Sequence, residues 1–193
     1  MHRVSRRGVV AAIATALAGC STGDGDDAAT GEPDGNPALA PADGAGSLAL
    51  RSPAFDDGGS IPRQYGRDGA DVNPPLEVTA VPDDAAALAV VVDDPDAVEV
   101  AGEIFVHWLV WNVPLTTVPE DWSPETAVEG TNDFGEVGYG GPAPPDGPHT
   151  YRFKCFALDG TLELEAGATV EKFGPALEGR VLARAQLEGT YAP

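Results

Sequence analysis

The residues able to do chemistry in this chain are few. Histidine occurs at His2, His107 and His149 only. His107 and His149 each sit in or beside a strand-like run next to a Pro- or Gly-rich turn, and Asp94-Pro95-Asp96 closes the run that precedes His107. Two imidazoles and a carboxylate brought together can bind an anion: His donates N–H, the amides of Gly140-Gly141 supply a nest, and Asp94 orients or protonates a ring. The same groups could do general acid–base work or hold a metal as two His and a carboxylate. Spacing alone does not separate these readings from two structural histidines with satisfied hydrogen bonds.

Positioning falls to the stretch Tyr139 to Leu158. Tyr139 to Gly147 carries three Pro and three Gly, too many to propagate a helix or a central strand, so it is a shaped loop. Thr150 to Leu158 alternates, with Tyr151, Phe153, Cys155 and Ala157 on one side and Arg152, Lys154, Phe156 and Leu158 on the other, as a buried strand does. A rigid loop therefore feeds a core strand, with His149 at the junction. Ile104 to Val113 predicts a second strand, whose alternation groups Phe105, His107, Leu109 and Trp111 against Val106, Trp108 and Val110.

Ala85 to Val92 reads as a central strand between acidic pairs, Ser47 to Ser52 and Leu76 to Ala80 as short strands, and Leu162 with Leu164 as another. Thr169 suits an N-cap and Gly179 a stop for a helix of about nine residues. From Val181 the period returns to two. The fold class expected is mostly β, a two-sheet antiparallel β-sandwich with a short C-terminal helix.

Three stretches carry a resemblance: Asp94-Pro95-Asp96-Ala97, then His107-Trp108 with Asn112-Val113-Pro114, then Tyr139-Gly140-Gly141-Pro142-Ala143-Pro144-Pro145-Asp146-Gly147-Pro148-His149-Thr150-Tyr151. They are similar to both signature regions of the phosphatidylethanolamine-binding protein family, above all its prokaryotic Raf-kinase-inhibitor-like branch, over roughly Ser47 to Tyr191. The resemblance implies a two-sheet β fold with a small cavity for phosphate, phosphoryl head groups, acetate or similar anions. It implies a ligand pocket of Asp94, His107, Gly141, Pro145, His149 and Tyr151, with Phe105 and Pro142 at the rim. It names no catalytic residue, metal or cofactor, although a small hydrolase, a metal-dependent enzyme and a protease or kinase inhibitor stay open as alternatives. Two departures stand out: Val98 replaces the Pro usual after Asp-Pro-Asp-Ala, and Thr150 replaces the Arg frequent after the second His.

The amino terminus reads as an export signal over residues 1–20. Arg3, Arg6 and Arg7 precede an apolar run from Val9 to Ala18, and Leu17-Ala18-Gly19-Cys20 resembles a lipobox whose Cys20 is lipidated. Ser5-Arg6-Arg7 resembles a twin-arginine signal. Residues 21–46 are mostly Gly, Ala, Asp and Pro with one lone Leu, a composition that predicts a disordered acidic tether, leaving 47–193 as the folded domain. Together these place the protein outside the cell, lipid-anchored on the outer face of the cytoplasmic membrane. Net charge is −20, and loss of residues 1–19 leaves 8 basic against 31 acidic groups, or −23. That excludes nucleic acid, which needs clustered Lys and Arg, and fits a halophilic habitat where salt screens the repulsion. The expected partners are a small anion or phosphorylated ligand and, through Cys20, a membrane; a homodimer is left open. With Cys20 lipidated, Cys155 is alone and reads as a buried small hydrophobe.

Overall fold

A computed structural model describes residues 36–40, 47–114 and 117–193. The export signal, Cys20 and the remainder of the tether lie outside the described residues. Eight strands follow in order: β1 Ala49–Arg51, β2 Gly59–Ser60, β3 Glu77–Thr79, β4 Ala87–Asp94, β5 Phe105–Val113, β6 Val128–Glu129, β7 His149–Leu158 and β8 Val181–Tyr191. Two short helices interrupt them, α1 Val98–Ala101 and α2 Val170–Ala176. The fold is mostly β with two sheets. A six-stranded sheet runs β2-β8-β7-β4-β5-β6, antiparallel except for β2 against β8, and β1 pairs with β3 in a second, two-stranded sheet.

Strand β4 is central because its Ala87 to Val92 run packs well on both faces of a pleated surface, and its two terminal carboxylates, Asp93 and Asp94, are each paired. On one face Leu88, Val90 and Val92 join Trp108, Phe153, Cys155 and Leu187 beneath Leu50 of the small sheet. On the other, Ala89 and Val91 join Trp111, Phe156 and Leu158 beneath Val170 and Phe173 of α2. The alternation read along β7 matches this partition, with Tyr151, Phe153, Cys155 and Ala157 in the first core and Phe156 and Leu158 in the second. Cys155 is fully buried, and burial pushes its thiol pKa up to about 12, so it packs as a small hydrophobe.

Strand β5 departs from its alternation. Val92 pairs with Trp108 but Asp93 with Val106, which leaves His107 as the extra residue of a β-bulge. A second shift passes over Asn112, whose φ is +57°. The first bulge puts Val106 in the same core as Leu109 and Trp111, the face that strict alternation assigns to His107. His107 is thereby turned out of that core, its ring 5.1 Å from that of Tyr151.

Other expectations change as well. Leu162 and Leu164 form no strand; the amide and carbonyl of Leu162 bond the side chain of Asn112 at 2.8 and 3.1 Å, a substitute for ladder partners. Helix α2 ends at Ala176, three residues before Gly179, with Pro175 in its last turn. Asp94 is the last residue of β4 rather than part of the turn after it, and the turn Pro95–Ala97 leads from it into α1. Within the expected tether, Asn36 to Ala40 is packed: Ala38 is fully buried and Leu39 is 2% exposed in the second core. A disordered reading fails for these five residues because the sheet, not the segment, supplies the apolar surface.

Candidate functional site

The cavity lies where the ends of β4, β5 and β7 meet. Asp94 ends β4 and is 3% exposed. Its Oδ1 accepts from the amides of Asp96 and Ala97 at 2.9 and 3.1 Å, an Asx-type closure that starts α1. Its Oδ2 accepts from Nδ1 of His149, the first residue of β7, at 2.7 Å. The far nitrogen of that ring, Nε2, donates to Oδ1 of Asp146 at 2.9 Å. Burial opposes charge on His149, but hydrogen bonds to Asp94 and Asp146 and their charges outweigh it, and the pKa is raised. Both ring nitrogens donate to carboxylates, the arrangement of an imidazolium.

His107 is the opposite case. Its Nδ1–H donates to the carbonyl of Gly140 at 2.8 Å, and its own carbonyl accepts from the Gly140 amide at 2.9 Å, so the bulge and the Pro-rich loop are laced together. Burial lowers its pKa, against the pull of the Gly140 carbonyl and of Asp94 and Asp93. The ring is neutral near pH 7, and Nε2 is left with a lone pair. Tyr151 is fully buried and its hydroxyl has no well-formed hydrogen bond. Burial and the Asp94 charge push its pKa upward, so it stays an O–H donor.

Around these polar groups the walls are apolar. A cavity of about 210 Å³ is lined by Asp94, His107 and His149 together with Ala97, Val100 and Ala101 of the α1 turn, Phe105, Phe134, Ala143 and Pro145. Phe134 meets Phe105 edge-on at 4.7 Å and lies 4.1 Å beneath the Arg67 guanidinium. Its loop is shaped by buried Asn132, which accepts from the amides of Phe134 and Glu136 and donates to the carbonyl of Gly138. The other side of His149 is acidic, where Asp96, Glu99 and Asp146 line an adjoining hollow.

The expected residues do not all converge. Asp94, His107, His149, Pro145 and Phe105 line the cavity, and Tyr151 packs against His107. Gly141 and Pro142 do not line it. The nest read into Gly140-Gly141 is spent elsewhere, because the Gly140 amide bonds His107 and the Gly141 amide donates to Oδ1 of Asp71 at 2.7 Å. Gly141 is required for closeness instead: a Cβ there would lie 2.3 Å from the Tyr65 carbonyl oxygen. Sequence reasoning missed Phe134, the α1 alanines and Asp146. For Asp146 a signal existed, since it stands three residues before His149 across a Gly-Pro turn. Among the described residues no group of three His, Cys, Asp or Glu is placed to hold a metal ion.

Comparison with known proteins gives one consistent answer. The profile of the family described as Phosphatidylethanolamine-binding protein matches residues 51–192. A UPF0098 protein of Methanothermobacter thermautotrophicus is 42% identical over 151 residues, covering 75% of this chain and 98% of its own. A candidate lipoprotein of Mycobacterium tuberculosis, LppC, is 37% identical over 201 residues, covering 99% and 97%. Among solved structures, the candidate phosphatidylethanolamine-binding protein homologue CT736 of Chlamydia trachomatis superposes with a TM-score of 0.71 at 38% identity, covering 75% and 97%.

Proposed function

The chain belongs to the phosphatidylethanolamine-binding protein family, and from that premise we propose that it is an exported, lipid-anchored module that binds a small anion or phosphoryl head group. The observation that carries the reading is the fully buried Tyr151 hydroxyl, which faces Asp94 without a well-formed hydrogen bond and whose ring packs against His107, behind the polar end of an apolar cavity that Asp94 and His107 line. A buried donor left without a well-formed bond costs up to about 1–3 kcal/mol, which a ligand oxygen would recover. A cavity of about 210 Å³ is smaller than the roughly 300–1,000 Å³ of drug-sized pockets, so a head group enters and any longer body stays at the mouth.

Two features tune such a site. The His149 imidazolium is already engaged by Asp94 and Asp146, so it lends positive charge without a vacant N–H. The acidic hollow adjoining His149 repels anions, a background that salt weakens. Affinity then rests on Tyr151 and on whether His107 is protonated. The test is calorimetric titration of phosphate and phosphoethanolamine into the wild type, Tyr151→Phe and His107→Ala. Each variant should lose about 10- to 150-fold, the worth of one hydrogen bond to a charged group at roughly 1.5–3 kcal/mol. Unchanged affinity in both variants, or no binding to the wild type, removes the reading.

Anchoring rests on the signal anatomy ending at Cys20 and on the likeness to the mycobacterial candidate lipoprotein, which extends over 99% of the chain. Cys20→Ser should release the protein into the medium or leave the precursor uncut. Membrane fractionation of the variant at its normal mature size would refute it.

A further inference from the structure

On the face of the large sheet opposite the two-stranded sheet lies a second polar cluster, none of whose residues lines the cavity. Asp93 is fully buried; Arg152 grips it through Nε and Nη2 at 2.8 and 3.0 Å, and the fully buried Lys154 Nζ lies 2.6 Å away. An isolated buried ion pair of this kind rarely repays its desolvation unless the remaining hydrogen-bonding capacity is also used. Here a distant piece of chain uses it. The carbonyl of Leu39 accepts from Arg152 Nη2 at 2.9 Å, and that of Ala38 accepts from Lys154 Nζ at 3.1 Å.

The segment that supplies these carbonyls is shaped for the place. Asn36-Pro37-Ala38-Leu39 forms a turn in which the Leu39 amide donates to the Asn36 carbonyl at 3.0 Å and the Ala38 amide to Asn36 Oδ1 at 3.0 Å. Asn36 Nδ2 donates to the carbonyl of Val170 at the start of α2 at 2.9 Å. Leu39 inserts into the second core, and the Asn36 side chain lies directly over Gly174, where a Cβ would fall 1.8 Å from its Oδ1. An absent side chain on α2, two cations aimed at main-chain carbonyls and an apolar socket for one Leu make a receptor for a short peptide.

We propose that this groove is a peptide-docking site which the chain fills in cis with Asn36–Ala40, so that the tether is fastened at the α2 face rather than leaving the domain at Ser47.

Gly174→Ala in the full-length protein tests this through the sign of its effect. Ala is the better residue inside a helix, so an undocked segment predicts a higher Tm; a docked one predicts collision with Asn36, a lower Tm and faster exchange. Hydrogen exchange read by mass spectrometry over residues 36–40 should show Leu39 protected at least about 100-fold in the wild type and unprotected in Gly174→Ala. Protection should return in the double variant Asn36→Ala, Gly174→Ala, which removes the colliding side chain. Unprotected amides in the wild type, or a raised Tm in Gly174→Ala with exchange unchanged, overturns the proposal. A dimeric mass by light scattering that persists on dilution overturns the cis arrangement.

Discussion

Sulfate binding to the pocket should weaken steeply as pH rises from 6 to 8. The perturbation is pH alone, and its point of action is His107. That ring spends its Nδ1–H on the Gly140 carbonyl at 2.8 Å, so in the neutral form Nε2 presents a lone pair, which repels an anion. Binding therefore requires a second proton on a ring whose pKa burial holds below the usual 6.5. Above that pKa the protonated fraction falls tenfold per pH unit, about 1.36 kcal/mol, so affinity should drop close to tenfold between pH 7 and 8. Sulfate keeps its charge throughout, so the titration belongs to the protein. His149 does not cancel the effect: its pKa is raised, and its loss of charge at higher pH would only steepen the decline. Calorimetry at about 0.15 M ionic strength, where the Debye length is about 8 Å, in buffers of different ionisation enthalpy measures the proton taken up. Tyr151→Phe should lower affinity at every pH with the slope kept, and His107→Gln should remove the His107 part of the slope, leaving only the His149 contribution. Wild-type affinity constant from pH 6 to 8, with no proton uptake, would refute the assignment of His107.

Three further outcomes are expected. Asp93→Asn leaves Arg152 and Lys154 buried without their shared carboxylate; the loss should be about 3–5 kcal/mol and Tm should fall by about 6–20 °C, so an unchanged melt would show the cluster to be solvated. His149 has a raised pKa in the folded protein, so its contribution is full below pH 6.5 and is lost as pH rises through the raised value. His149→Gln should remove that alkaline decline from a series of urea melts, and identical profiles would contradict the Asp94–His149–Asp146 geometry. Finally, a halophilic adaptation predicts that stability falls as salt drops from 1 M to 0.1 M and the screening length grows from about 3 to about 10 Å; flat melts over that range would count against it.

Short windows of side chains account for the features that were legible before any fold was known. The alternation along β7 assigned Tyr151, Phe153 and Cys155 to one core and Phe156 and Leu158 to the other, because each side chain's face follows from pleat geometry alone. Asp94, His107 and His149 were readable as chemistry because few residue types can do it, and the Pro-rich loop because Pro and Gly forbid regular structure. Tertiary structure decided the rest. The bulge that turns His107 out of its expected face is an offset between β4 and β5, invisible in either strand alone. Gly141 looked like an anion nest, yet its amide is claimed by Asp71, 70 residues away in the chain. The lone Leu of the segment read as a tether is Leu39, 2% exposed. Composition measures what a segment can bury within itself; the surface that Leu39 needed, and the two cations waiting for its carbonyls, exist only once β4, β7 and α2 have come together.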